Sequence, residues 1–469
     1  MYKKIILYKM LYGIILCQIP YNLNMNKVLL LENFNSKNPK SYSLNTTNII
    51  LGYGQHIYYN NNLPNFENHN GLYAPKGFGA ITSLFFQYSN KFFLFSAQPG
   101  IAVRRNNYLL SLPIKEKSFS VLNDVPIADN IDNQNFKNLG IKFFISDYEF
   151  GFGNWNQWWG PGIHNSLVMS NNSEGIPHYL IGTTEYNHLL YGIDYKFKFT
   201  ISEAMKNKFG TDYYLTSYYI NLRFKNIEIG KSRQILSGGN NDLSWNINRA
   251  SNLFLTNEYI EYWDQIIDYY FLLKYPKSNL IVFLELGFPN RTFNGKNKLV
   301  YNDHAMGSNM GIRKAGLFGR DALIFGFEYT RLIQSTYYDI IPSPNWYDNI
   351  KYNYSSFKGK RWAAHSGSDS DDFLIYSGYI DNKMSFILGF NFERHGVSYH
   401  YPPEVKLEKK ILFSYKIKNL FVYVNYENEY YEHYGFTNTQ KNVWYESFEI
   451  GSIQRTQSLL ISIEKEIKL

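Results

Sequence analysis

Apolar and polar residues alternate with a period of two along much of this chain, the pattern of strands with one apolar and one polar face. Between Tyr191 and Ile201, residues Tyr191, Ile193, Tyr195, Phe197, Phe199 and Ile201 share one face, and Gly192, Asp194, Lys196, Lys198 and Thr200 share the other. A face that apolar, backed by three charges, does not fit a soluble core covered on both sides. Tyr218, Ile220, Leu222 and Phe224 oppose Ser217, Asn221 and Arg223, and Leu323, Phe325, Phe327 and Tyr329 oppose Gly326, Glu328 and Thr330. Met384, Phe386, Leu388, Phe390 and Phe392 oppose Ser385, Gly389, Asn391 and Glu393, and Leu420 to Glu427 repeats the pattern more weakly. At the carboxyl end Leu459, Ile461, Ile463, Ile467 and Leu469 face away from Ser462, Glu464, Glu466 and Lys468. A strand running to the last residue predicts closure of a barrel against its first strand, which leaves no edge.

These patterns predict an all-β fold, a transmembrane antiparallel β-barrel with a plugged lumen and long extracellular loops. At roughly 10 residues per membrane strand, and roughly 25 with its connection, the chain accommodates about 18 strands, with 16 nearly as good a fit. Short turns fall at Asn226 and Lys277-Ser278-Asn279, and long irregular segments at Pro113 to Leu139, Ser237 to Gln265 and Gln334 to Asp372. The long segments are expected outside the cell or folded into the lumen. Residues 1–22, with Lys3 and Lys4 ahead of an apolar Met10 to Cys17, read as a signal peptide. Residues 23–79 are assigned to an amino-terminal periplasmic or plug element, and 80–469 to the barrel.

Composition supports the barrel. Aromatic residues make up 18% of the 469, including 43 Tyr and 35 Phe, while the mean hydropathy is negative, −0.35. A transmembrane barrel accommodates both, placing rings in girdles at the two interfaces and apolar residues only at alternate positions. After the amino terminus no apolar run approaches the ~20 residues of a spanning helix. The net charge of +8 includes Lys3, Lys4 and Lys9, and without them it is about +5. The basic residues are dispersed, which argues against nucleic acid as a partner. Cys17 is the only cysteine, so a chain processed after residue 22 has no disulfide, cysteine-ligated metal or cysteine nucleophile.

The most specific stretch is GFGNWNQWWGPGIHNSLVMSNNSEGIP, Gly151 to Pro177. Trp155, Trp158 and Trp159 are too closely spaced for strand alternation alone. The amides of Asn154, Asn156, Asn165, Asn171 and Asn172 all require partners if buried. A flat aromatic face beside uncharged amides suits a neutral, hydroxyl-rich ligand such as a sugar ring. The same residues also suit a plug folded into the lumen, and both roles stay open.

Trp158-Trp159-Gly160-Pro161-Gly162, followed by Asn165-Ser166-Leu167, Ser170-Asn171-Asn172 and Pro177-His178, resembles the signature of the Wzi-type capsule assembly proteins. Asn70-Gly71-Leu72-Tyr73 with Lys76-Gly77-Phe78-Gly79, and Arg361-Trp362-Ala363-Ala364-His365 running into Ser368 to Asp372, agree with it. The resemblance implies a non-enzymatic outer-membrane barrel that holds capsular or other extracellular polysaccharide at the cell surface. No cofactor and no bound metal are expected. On this reading Trp155, Trp158, Trp159, Asn165, Asn171, Asn172, Arg361, Asp369, Asp371 and Asp372 bind glycan or plug the lumen. The partners are polysaccharide and outer-membrane lipid, and the chain is expected to be a monomer.

Three other patterns compete. His164 and Ser166 resemble the His-x-Ser of outer-membrane phospholipase A and would share a face on an ideal strand, but that enzyme's following glycine and arginine are absent. Asp369, Asp371 and Asp372 offer hard oxygen ligands for calcium, or an arginine-paired acidic loop. Glu427, Glu429 and Glu432 form a glycosidase-like site only if two carboxylates face each other at the required separation. The main functional alternative is a porin or transporter with a pore narrowed by its loops.

Overall fold

The computed structural model describes residues 47–469 apart from 64–66, 73, 105–135, 208, 240–263, 290–305, 334–345, 382, 399–401 and 435–452. The expected signal peptide, Cys17 and most of the Pro113 to Leu139 and Ser237 to Gln265 segments lie outside the described residues. Among the described residues no helix is long and apolar enough to cross a membrane.

Eighteen strands form the wall. They are β1 (Asn48–Asn60), β2 (Gly77–Ser89), β3 (Phe93–Arg104), β4 (Phe136–Ile145), β5 (Tyr148–Gly153), β6 (His178–Thr183), β7 (Ile193–Ser202), β8 (Asp212–Phe224) and β9 (Ile227–Gly238). They continue with β10 (Asp264–Tyr275), β11 (Leu280–Pro289), β12 (Gly307–Leu317), β13 (Arg320–Arg331), β14 (Ser370–Ile380), β15 (Met384–His395), β16 (Glu404–Ile417), β17 (Leu420–Glu432) and β18 (Gln454–Lys468). Each pairs antiparallel with the next, and β18 pairs with β1 to close the ring, Ile57 opposite Ile461 and Gly54 opposite Glu464. The expected closed all-β barrel of about 18 strands is what the chain forms.

The alternation read from sequence separates outside from inside. Ile220, Leu222 and Phe224 on β8, Phe386, Leu388 and Phe390 on β15, and Ile463 and Ile467 on β18 are exposed on the outer surface. Ser217, Asn391, Glu393 and Ser462 are buried on the inner one. Tyr191 differs from expectation. It sits in the turn before β7 at a φ of 59° and is 90% exposed, so the strand begins two residues later.

Among the described residues, the two- to four-residue turns joining β2 to β3, β4 to β5, β8 to β9, β10 to β11, β12 to β13, β14 to β15 and β16 to β17 lie at one end of the barrel. Phe318-Gly319 between β12 and β13 takes φ of 54° and 71°, the left-handed pair that matches the twist of a two-residue hairpin. The long connections leave the opposite end, so by the usual asymmetry of outer-membrane barrels the short-turn end is periplasmic and the long-loop end extracellular.

The division at residue 79 is corrected. β1 and the first three residues of β2 lie inside the segment assigned to a plug, yet both strands are full members of the wall, joined over 13 residue pairs. Among the described residues of that segment, it is their connection, 61–63, 67–72 and 74–76, that enters the lumen, as loop 1 (61–76). The alternation of β1 is blurred because its inward face carries Ile50 and Tyr58 among Gly52, Gly54 and His56, while Gln55 faces outward.

Candidate functional site: a lumen filled by three loops

The described residues of loop 1 (61–76), loop 3 (154–177) and loop 7 (332–369) meet inside the barrel. Loops 1 and 3 join through their backbones, Asn70 and Gly71 donating N–H to the carbonyls of Asn171 and Asn172 at 2.8 and 3.1 Å. Gly71 takes a φ of 67°, and a Cβ there would lie 2.6 Å from the Glu174 nitrogen. Glycine is therefore required by conformation and by space. Loops 3 and 7 join where Ser170 donates its N–H to the Trp362 carbonyl at 2.6 Å and its hydroxyl to the Ala363 carbonyl at 2.6 Å. Trp159, Leu167, Val168, Trp346, Tyr347, Trp362 and Ala363 then form one apolar core with wall residues Leu215, Leu236 and Ile266.

The wall holds this assembly by carboxylates aimed inward. Glu328 on β13, 1% exposed, accepts backbone N–H from Ile163, His164 and Asn165 at 2.8, 3.1 and 2.8 Å. Glu285 on β11 accepts the N–H of Leu167 at 3.2 Å. Loop 3 thus presents the N–H donors of Ile163, His164, Asn165 and Leu167 to acids on the wall, which satisfies that part of its non-sheet backbone. Trp362 Nε1 donates to Gln234 on β9 at 2.9 Å, and the ammonium of Lys137 on β4 donates to the Asn70 carbonyl at 2.9 Å. Contacts to β4, β9, β11, β13 and the strands beyond therefore reach round the lumen.

The sequence-derived site residues divide into two groups. Asn165, Asn171, Asn172, Arg361, Asp369, Asp371 and Asp372 are buried. Asn165 donates through Nδ2 to Asp372 and Thr330 at 2.6 and 3.1 Å and accepts the N–H of His365 at 3.2 Å. Asn171 donates to the Asn68 carbonyl at 3.0 Å, and Asn172 to the Arg361 carbonyl at 3.0 Å. The Arg361 guanidinium lies 5.2 Å from the centre of the Tyr347 ring. Trp159 is buried and donates to Gln157 at 3.0 Å. Trp155 and Trp158 are only half-buried. Trp155 donates to Ser96 at 3.1 Å, with the Lys142 ammonium 4.7 Å above its ring, and Trp158 donates to the Gly162 carbonyl at 2.8 Å. Trp155 borders a narrow, partly open cleft with Asn156, Gln157, Ser173, Glu174 and His178.

The competing patterns come apart. The Ser166 hydroxyl donates to the Trp159 carbonyl and is not hydrogen-bonded to His164, which turns its Nε2 to Asp372 at 3.1 Å. Loop 3 is not a strand here, so the shared face does not arise. Asp369, Asp371 and Asp372 diverge: Asp369 accepts the N–H of Ser398 at 2.8 Å, Asp371 pairs with Arg394 on the neighbouring strand, and Asp372 receives Asn165 and Asn391. Glu427 and Glu429 face the lumen with Glu408, whereas Glu432 sits apart with the Tyr430 hydroxyl at 2.9 Å.

Several polar groups of the lumen were not singled out from sequence. Glu67 of loop 1 pairs with Lys406 on β16 and lies 3.1 Å from His365 Nε2. Burial disfavours the imidazolium of His365, but Glu67, with Asp372 and Glu393 beside it, raises its pKa to about 10. Burial and Glu393 push Glu67 upward, against which His365, Lys406 and Lys410 prevail and hold it below the ordinary value. His69, lowered to about 3 by burial and then by Lys410, lies 2.6 Å from the Glu67 carbonyl through Nδ1 and 3.2 Å from the Asn425 amide through Nε2. A neutral ring that donates at Nδ1 and accepts at Nε2 satisfies both contacts. Isolated acids among lumen-facing residues carry no local signature, and only the fold shows which of them meet.

No known protein-family model matches the sequence, and no characterised protein matches it by sequence. Solved structures match its fold. Wzi, described as an outer membrane protein involved in group 1 capsule assembly in Escherichia coli and a carbohydrate binding β-barrel, superposes with a TM-score of 0.63 at 12% identity, over 87% of this chain and 83% of Wzi. Pseudomonas aeruginosa OpdQ gives a TM-score of 0.49 at 10% identity, over 90% of this chain and 98% of its own. OpdK with vanillate, from the same organism, gives 0.48 at 8%, over 90% and 99%. The resemblance to Wzi read from the tryptophan motif is thus borne out as a likeness of fold, and the chain is an outer-membrane β-barrel.

Proposed function

We propose that this barrel is a non-enzymatic surface protein that binds capsular or extracellular polysaccharide and helps retain it on the cell, acting as a monomer. The observation that carries the reading is the filled lumen. Loops 1, 3 and 7 satisfy one another and the wall through buried hydrogen bonds, an arrangement suited to a rigid platform and opposed to an open solute path. Trp155 and Trp158 of the same motif are half-buried, and Trp155 borders the cleft beside the amides of Asn156 and Gln157. Exposed ring faces stack on the apolar faces of sugars while nearby amides bond their hydroxyls. In this division Asn165, Asn171, Asn172, Arg361, Asp369, Asp371, Asp372 and Trp159 build the platform, and Trp155 and Trp158 offer the contact.

A glycan array on detergent-solubilised protein, paired with planar-bilayer recording, tests the proposal. Saturable binding to an acidic or neutral polysaccharide and no steady current are expected. Steady current with no glycan bound would instead make the protein a porin.

A further inference from the structure

Where the three loops meet the wall, one potential ligand atom each from Glu67, His164, His365 and Glu393 lies within 4.8 Å of the others. These residues come from loop 1, loop 3, loop 7 and β15, and are 4%, 7%, 0% and 0% exposed. His365 Nε2 is 3.1 Å from Glu67 Oε2 and 3.7 Å from Glu393 Oε1. A tetrahedral zinc ion with bonds of about 2.0–2.2 Å sets its ligand atoms about 3.3 Å apart, within that span. Neither His365 Nε2 nor Glu67 Oε2 has an aligned hydrogen-bond partner among the described residues. Both are more than nine-tenths buried and turned to the centre of the cluster.

Charge points the same way. Asp372 lies 3.3 Å from His365 Nε2 and 3.1 Å from His164 Nε2, while Lys406 contacts Glu67 and reaches Glu393 at 3.0 Å. Three carboxylates thus face one ammonium around the two imidazoles, and a bound cation would take the place of a proton on His365.

We propose that Glu67, His164, His365 and Glu393 form a binding site for one divalent transition-metal ion, of the zinc class, that ties loops 1, 3 and 7 to the barrel wall. Mixed imidazole and carboxylate donors suit zinc, and with no cysteine among them the softer ions have no thiolate to hold them. The ion would be structural, with all four positions taken by the protein. The inference goes beyond polysaccharide binding and stands independently of it, since it concerns how the plug is held.

The test uses the full chain purified in detergent, stripped with EDTA and titrated with zinc chloride by calorimetry, folding being followed by heat-modifiable migration in gel electrophoresis. The folded wild type is expected to bind one zinc per chain, and zinc to raise its thermal midpoint. Glu67→Gln and His365→Gln should each lose stoichiometric binding, whereas Glu427→Gln, in the separate Glu408, Glu427 and Glu429 cluster, should keep it. Should either ligand variant fail to fold, the wild-type titration still decides. A folded wild type that binds no zinc, or binding that survives His365→Gln and disappears in Glu427→Gln, overturns the proposal.

Discussion

Glu328 on the barrel wall accepts the backbone N–H of Asn165 in loop 3 at 2.8 Å, and its carboxylate also receives those of Ile163 and His164. Replacing it with alanine leaves three buried donors without an acceptor, at a cost of roughly 1–3 kcal/mol each. Glu328→Ala is therefore expected to detach loop 3 while the wall persists, and Glu328→Gln, which keeps one carbonyl oxygen, to do so less. Planar-bilayer recording should show conductance in Glu328→Ala that wild type lacks. A variant as electrically silent as wild type would mean that the other anchors suffice.

Trp155 and Trp159, four residues apart, should behave oppositely. Trp159 packs in the lumen core, and Trp159→Ala is expected to cost about 3–5 kcal/mol, as for other buried tryptophans. Trp155→Ala with Trp158→Ala should lower polysaccharide retention with a smaller change in denaturant midpoint. Cell-surface glycan staining beside urea titration separates the two effects. Equal retention in the double variant and wild type would remove the stacking role.

The contrast shows what was legible in the sequence. Strand alternation on β7, β8, β13, β15 and β18 was readable because lipid forces every second residue to be apolar. β1 was not, since its buried inward face carries the apolar Ile50 and Tyr58, the latter packed against Leu72 and Ala74 of loop 1, and breaks the pattern. The Trp motif was visible as a composition, but which rings are covered depends on loop 7, nearly 200 residues away. Glu67, Glu328 and Glu393 read as ordinary lumen charges, because their partners are distant in sequence and no local spacing encodes them.

Tyr347 provides a pH probe of the plug. Its hydroxyl donates to the Leu167 carbonyl at 2.7 Å, and burial raises its pKa above the ordinary value despite the nearby Arg361 guanidinium. An unfolded tyrosine releases its proton near pH 10, before the folded one does, so stability is retained below about pH 10 and falls as the pH rises further. Tyr347→Phe should lose about 1 kcal/mol at neutral pH and show a shallower alkaline decline. Urea midpoints from pH 8 to 11 test this, and parallel curves for the two proteins would show that Tyr347 does not carry the effect.

Gly71→Ala should separate loop 1 from loop 3, because the added methyl meets the Glu174 backbone at a φ that L residues rarely adopt. The expected result is protease cleavage within 61–76 in intact cells, with the barrel still heat-modifiable. Resistance equal to wild type would show that the backbone shifts to make room.

The pairing of β1 with β18 bears on the order of assembly. Loop 1 hangs from the strand that makes the final seam, yet its Glu67 meets Lys406, 339 residues further on. A chain inserted strand by strand must therefore keep loop 1 inside the growing curve of the sheet until the last hairpins arrive. Contacts this far apart in sequence are slow to form, so docking of loop 1 and sealing of the cylinder must wait for the same late event. A chain truncated before β16 would have an open sheet edge and, with it, no seat for its first loop.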